Sequence, residues 1–278
     1  MGVLLRPENW PVGWPLTALA IAGALNHAGA RLESRPSWRR VASFDAGLFV
    51  LFLAVDSPID AYADRLFVAH MSQHVLLTMV APPLLLLGRP WPRLIKPLPT
   101  EARRSVLARL YALGPLRRTA EWIARPLPSF VAFNAALLVW HVPALYDATL
   151  RSPLVHDLEH ALLFGTALLF WRHLAPSGRG RALSDAARVA YGGGAILASW
   201  ALALVLALAP DPLYIAYAQL AHRPLGLSAL GDQQLAAGVM WVPASIPYTI
   251  AVFAAAYRFL DPTAGRPRRA ADFRPRET

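Results

Sequence analysis

The chain has 278 residues, 56% of them hydrophobic and 16% charged, with a mean hydropathy of +0.38, a balance too apolar for an ordinary soluble domain. Its 27 basic and 17 acidic residues give a formal charge of +10, but Lys96 is the only lysine and no Arg-rich motif is interleaved with aromatics, so no nucleic-acid partner is expected. Cysteine is absent, which excludes disulfide frameworks, zinc ribbons, CxxC redox motifs and thiolate copper sites. Any metal must be held by His, Met or carboxylate.

A bilayer core about 30 Å thick takes roughly 20 mostly apolar residues per helix, and seven stretches approach that length. They run from Val12 to Ala28, Val41 to Val55, Leu66 to Gly88, Leu127 to Tyr146, Leu154 to Trp171, Val189 to Ala209 and Leu235 to Phe259. The first resembles a signal peptide in its Ala28-Gly29-Ala30 sequence, but Arg6 is offset by Glu8, so it reads as an uncleaved span. The second is the weakest, being short and carrying Asp45. In the long loop after the third, Thr100 can cap a helix with Val106, Leu107, Leu110 and Leu113 on one side and arginines on the other, suited to an anionic lipid surface. The expected fold is all-α: a seven-transmembrane-helix domain over residues 1–260, followed by an Arg/Pro-rich tail over 261–278 that reads as disordered.

Cytoplasmic loops concentrate Lys and Arg. One set of alternating loops, Arg31 to Arg40, Arg89 to Arg125, Arg172 to Arg188 and the tail from Arg258, holds 23 basic residues against 7 acidic ones. The other holds Arg6, Arg65, Arg151 and Arg223 against 9 acidic residues. This asymmetry predicts an N-terminus outside and a cytoplasmic C-terminus.

With that orientation His70, His74, His141, His156, His160 and His222 fall at or near the outer side. His70/His74 and His156/His160 each have i, i+4 spacing, which puts two imidazoles on one helix face about 6 Å apart. His141 precedes Pro143, which can open the helix and free a carbonyl. Met240 occupies a similar depth in the last span. Ionisable groups inside a membrane normally face the bundle interior and serve a function. Imidazole suits Cu, Zn and Fe, and thioether adds preference for Cu(I). The expected metal ligands are therefore His70, His74, His156 and His160, with His141, Met71 and Met240 as auxiliary ligands; copper as Cu(I), zinc and a single haem all stay open at this point.

Bland readings stand beside these. Single histidines can simply hydrogen-bond between helices; His27, His173 and His222 read as structural or solvated, with Asp45 a partner for His27 or for an arginine. Asp56, Asp60 and Asp64 read as caps of the coming helix before they read as a cation funnel. Trp10, Trp14, Trp140, Tyr146 and Tyr214 look like interfacial anchors. Facing histidine pairs leave one haem open, and His156-Asp157-Leu158-Glu159-His160 matches the H-x-x-E-H pattern of inverted zinc proteases. A retinal Schiff base is excluded, since Lys96 lies in a loop.

The motifs His70-Met71-Ser72-Gln73-His74, Ala81-Pro82-Pro83, Trp140-His141-Val142-Pro143, Leu145-Tyr146-Asp147, His156 to His160, Asp211-Pro212-Leu213-Tyr214, Asp232-Gln233-Gln234 and Met240-Trp241-Val242-Pro243 occur in order. In this series the chain resembles the CtaG-like family of polytopic cytochrome c oxidase assembly factors, over about Asp56 to Phe259. The resemblance implies a non-enzymatic membrane protein that serves a haem-copper oxidase subunit and helps metallate its CuB centre. The alternatives are a metal-free scaffold for oxidase assembly, or a single-haem or copper-transporting membrane protein.

Overall fold

The computed structural model describes residues 14–112, 114–175 and 183–261. Every element among them is helical. In chain order they are α1 (Trp14–Arg31), α2 (Trp38–Val55), α3 (Pro58–Ala63), α4 (Phe67–Val75), a π-helical turn (Leu76–Val80), α5 (Ala81–Gly88), α6 (Trp91–Ile95), α7 (Thr100–Ala112), α8 (Gly114–Ile123) and α9 (Pro126–Trp140). Then follow α10 (Pro143–Arg151), α11 (Pro153–Leu174), α12 (Asp185–Leu208), α13 (Ile215–Ala218), a 3-10 turn (Pro224–Gly226), α14 (Ala229–Trp241) and α15 (Ser245–Leu260). Proline opens α3, α9, α10 and α11, where its missing N–H costs no helical bond. Ser57, Ser184 and Ser228 cap α3, α12 and α14 by accepting amide bonds from Ile59, Ala187 and Gly231.

Four helical stretches are long and apolar enough to cross a membrane: Trp38–Ala63, Phe67–Gly88, Asp185–Leu208 and Ala229–Leu260. A fifth appears if Arg117–Ile123 and Pro126–Trp140, bent by 82°, count as one span. The segment expected to be weakest, with Asp45, is among the four because the helix runs on through α3. The expected first and fifth spans, α1 and α11, fall short because Asn26, His27 and Arg31 dilute the former and His156, Asp157, Glu159, His160, Arg172 and His173 the latter. The expected fourth span, to Tyr146, is also corrected: α9 ends at Trp140 and Pro143 begins a separate helix. Trp10 and the tail beyond Asp261 lie outside the described residues, as do Leu113 and the side chains of Trp14, Val106, Leu107 and Leu110.

The π turn stands directly before Pro82 and Pro83. A proline has no N–H for the carbonyl four residues back and crowds it, and a π turn is one way a helix absorbs such a break. The Thr78 carbonyl, which Pro82 cannot serve, instead accepts a bond from the Trp171 indole Nε1 at 2.8 Å, tying α11 to the α4–α5 rod. Beyond the turn, α5 lies close against α2, where a Cβ on Gly47 would sit 2.7 Å from Leu85 Cγ and one on Gly88 2.7 Å from Phe44 Cβ. Two apolar clusters fill the bundle. Phe133, Phe170, Trp171, Tyr191 and Tyr248 centre one. The other is built on Phe67, Met71, Tyr146, Tyr214, Tyr217 and Met240.

At the second cluster, buried Asp232 on α14 accepts the first two amides of α4, from Phe67 N at 2.8 Å and Val68 N at 2.9 Å. Gln233 accepts from Leu213 N at 2.8 Å and donates to Leu206 O at 3.0 Å, while Gln73 donates to Ala54 O at 2.8 Å and Asp60 at 2.7 Å. Asp147 accepts from Ala216 N at 3.2 Å. These bonds draw the loops at this end inward. Tyr146 and Tyr214 are consequently 0% and 2% exposed, so they are core residues and not the interfacial anchors expected from their positions.

Replacing Asp232 by Ala strands two buried amides, each worth about 1–3 kcal/mol when unpaired. Thermal unfolding of the detergent-purified chain is therefore expected to show a large loss of stability for Asp232→Ala and a smaller one for Asp232→Asn, which keeps one acceptor oxygen. Trp171→Phe is expected to cost about 1–3 kcal/mol by leaving the buried Thr78 carbonyl without its indole partner, measured in the same way.

A histidine and carboxylate cluster between two helices

The i, i+4 pairs of α4 and α11 face each other. His70 and His156 ring centroids are 5.0 Å apart, His70 and His160 6.1 Å, and His74 and His160 5.4 Å. His70 Nε2 lies 3.0 Å from His74 Nε2. Between the two helices sits Glu159, fully buried, with Oε2 3.5 Å from His70 Nε2 and 3.6 Å from His74 Nε2. One ligand atom from each of His70, His156, Glu159 and His160 falls within 4.8 Å of all the others. His74 stands beside this set, against His70 and Glu159.

Proton positions follow from the partners. Tyr217, on α13, donates its hydroxyl to the Ala63 carbonyl, and burial pushes its phenol well above the usual range, so it stays protonated. Its oxygen is left to accept from His70 Nδ1–H at 3.2 Å. In a neutral ring His70 Nε2 therefore carries a lone pair pointing into the cluster, the arrangement in which a metal-ligating histidine is oriented by its other nitrogen. His74 can donate Nε2–H to it, leaving His74 Nδ1 with the lone pair.

Buried side-chain atoms without a hydrogen-bond partner include His74 Nδ1, His156 Nε2, His160 Nε2 and both Glu159 oxygens. A buried carboxylate and several buried imidazole nitrogens in this condition are costly unless compensated, and a cation would satisfy all of them at once. Three imidazoles and a carboxylate suit Zn or Cu(II) at least as well as Cu(I).

His141 closes the C-terminus of α9, its Nδ1 donating to Leu137 O at 2.7 Å and its Nε2 lying 3.4 Å from Met71 Sδ. Its own carbonyl, beside Pro143, accepts from the Tyr214 hydroxyl at 3.1 Å. Met240 borders a cavity shared with Met71, His74 and His141. The remaining histidines stand elsewhere: His27 pairs with Asp45 at 2.7 Å, His173 donates to Ala124 O at 2.9 Å, and His222 is exposed. Of Asp56, Asp60 and Asp64, expected to cap the span that follows them, Asp60 accepts from Gln73, and the first amides of α4 are taken by Asp232 instead.

Sequence reasoning passed over Glu159 as a ligand. The H-x-x-E-H spacing carries the signal, since positions i, i+3 and i+4 share one helix face, although the pattern reads first as a protease motif. Enclosed between His70 and His74, Glu159 occupies a ligand or counter-charge position. Tyr217, which orients His70, had no sequence signal beyond its place after Tyr214.

Two uncharacterized proteins, one from Mycobacterium bovis and one from Mycobacterium tuberculosis, are each 26% identical to this chain over 253 residues. The match takes in 87% of this chain and 37% of either relative, so the chain spans little more than a third of their length. No solved structure matches. The family model described as cytochrome c oxidase caa3 assembly factor (Caa3_CtaG) matches residues 19–261, nearly the whole helical body and every ligand residue above, and the chain belongs to that family.

Proposed function

We propose that the protein is a non-enzymatic assembly factor that binds copper at the outer face of the bacterial cytoplasmic membrane and delivers it to a haem-copper oxidase subunit, supplying the CuB centre. The convergence of unpartnered, buried imidazole nitrogens and the Glu159 carboxylate between α4 and α11 carries this reading. His70, His156, Glu159 and His160 hold the ion, and His74 is the neighbouring ligand through which it enters or leaves. Copper is cargo here. Neutral imidazoles exchange more readily than a closed thiolate cage, which suits delivery.

In this reading all seven apolar segments cross the membrane, including α1 and α11, whose polar residues face the bundle or a terminus. The N-terminus is outside and the C-terminus cytoplasmic, in keeping with the loop charges. The arginine-rich α7 and α8 rest on the anionic inner leaflet.

The absence of native cysteine makes topology directly testable. Leu225→Cys, in the exposed turn before α14, is expected to react with an impermeant maleimide in intact spheroplasts. Glu101→Cys on α7 is expected to react only after permeabilisation; the reverse pattern would invert the orientation.

Elemental analysis of the purified chain tests the metal. With copper supplied as Cu(II), which thioethers hold poorly, loading comparable to the protein concentration is expected in the wild type, strongly reduced in Glu159→Gln and lost in the variant with His70, His74, His156 and His160 all changed to Ala. Equal and negligible copper in all three would overturn the metallochaperone. A metal-free scaffold is the second reading, favoured by the use of Gln73, Asp147, Asp232 and Gln233 as clamps between helices. It predicts that the quadruple variant still supports oxidase activity in cells deprived of the wild-type chain.

A further inference from the structure

The chain contains four methionines, and the three beyond Met1 border one cavity. Met71 comes from α4, Met79 from the π turn and Met240 from α14, and together with His74 and His141 they line a space of about 20 Å³ where the two apolar clusters meet. All five side chains are buried. Methionine is a common filler of irregular core gaps, and its presence alone would mean little. What sets this cavity apart is His141.

The Leu137 carbonyl can only accept, so the proton on His141 is at Nδ1, 2.7 Å away. Neutral imidazole has a single N–H, which leaves a lone pair on Nε2. That lone pair faces Met71 Sδ at 3.4 Å, and a thioether has no proton to give. Two Lewis bases thus confront each other in a buried site with nothing between them to bind. Backbone anchoring of the far nitrogen is the arrangement that orients a ligating histidine, and a π turn within the lining is the kind of helix irregularity that recurs at functional sites.

We propose that Met71, Met79, Met240 and His141 form a second metal site, selective for a soft monovalent cation of the Cu(I) class. Thioethers favour Cu(I) and bind Zn and other harder divalent ions poorly, so this site differs in kind from the His/Glu159 cluster. His74 lies between the two: it lines the cavity and meets His70 Nε2 at 3.0 Å. A cation can therefore pass from one donor set to the other by ligand exchange, with no change in oxidation state. The exchange step rests on the copper reading of the His/Glu159 cluster; the thioether site does not.

The test uses the full chain in detergent with Ag(I) as a redox-inert stand-in for Cu(I), and Zn(II) as the harder probe. Wild type is expected to retain Ag(I) after desalting, with a sulfur shell in Ag-edge X-ray absorption. The triple variant Met71→Leu, Met79→Leu, Met240→Leu, which nearly conserves core volume, is expected to bind Ag(I) at least tenfold more weakly while retaining Zn(II) as wild type does. Ag(I) retention unchanged in the triple variant, or no sulfur shell in the wild type, would overturn the proposal. The spectrum needs no variant and so decides the matter even if the triple variant misfolds. His70→Ala with His160→Ala should lose Zn(II) and keep the Ag–sulfur signal. A wild-type chain that shows the sulfur shell but never binds Zn(II) or copper at the His/Glu159 cluster would defeat the earlier reading and uphold this one.

Discussion

The carboxylate of Asp232 sets the geometry on which the rest of this end of the molecule depends. It accepts the first two amides of α4 from a position 165 residues later in the chain, and so fixes how far α4 stands along α14. His70 and His74 lie within two turns of that cap, as Met240 does on α14. A slip of one residue between the two helices would separate the methionines and turn the histidines off the α11 face. In an apolar medium an unserved amide has no water to fall back on, which makes such a cap a stronger positional constraint here than at the surface of a soluble protein.

The same logic explains how α11 is held. His156, Glu159 and His160 meet His70 and His74 only if that helix keeps its depth against α4. Pro82 leaves the Thr78 carbonyl without its helical partner, and the Trp171 indole takes that place. The proline pair thus opens an acceptor in one rod that only the neighbouring rod can fill. Helix depth at the cluster is controlled from both ends, by Asp232 at the start of α4 and by Trp171 at the π turn.

Much of this was legible in the sequence because helical spacing is nearly invariant. The i, i+4 histidine pairs had to share a face, and Asp45 near His27 had to find it or an arginine. Apolar segment length revealed the helical body. Two things were less visible. Tyr146 and Tyr214 have the side chains of interfacial anchors, and only the tertiary bonds of Asp147, Gln233 and the His141 carbonyl show that they are folded inward. Glu159 was hidden by its charge, because an acidic residue near a span end reads as a water-facing group until the opposite helix is known to present two imidazoles to it. The family motifs were legible as a series, but their division of labour was not: Gln73, Asp147, Asp232 and Gln233 bond helices and loops together, while the histidines between them are left with free nitrogen atoms.

That division has a chemical consequence. Asp147, Asp232 and Gln233 clamp the bundle through bonds to backbone groups, which are rigid and always present. The histidines and Glu159 face one another at 3.0 to 3.6 Å, with His74 Nδ1, His156 Nε2, His160 Nε2 and both Glu159 oxygens lacking a hydrogen-bond partner. A cation entering the cluster therefore displaces weak contacts between side chains and leaves the bonds that hold the helices untouched. The same holds for the thioether cavity, where His141 keeps its Leu137 bond whether or not Nε2 is engaged. A protein built in this way can gain and lose an ion without repacking, which is the property a delivery site needs and a permanent structural metal site does not.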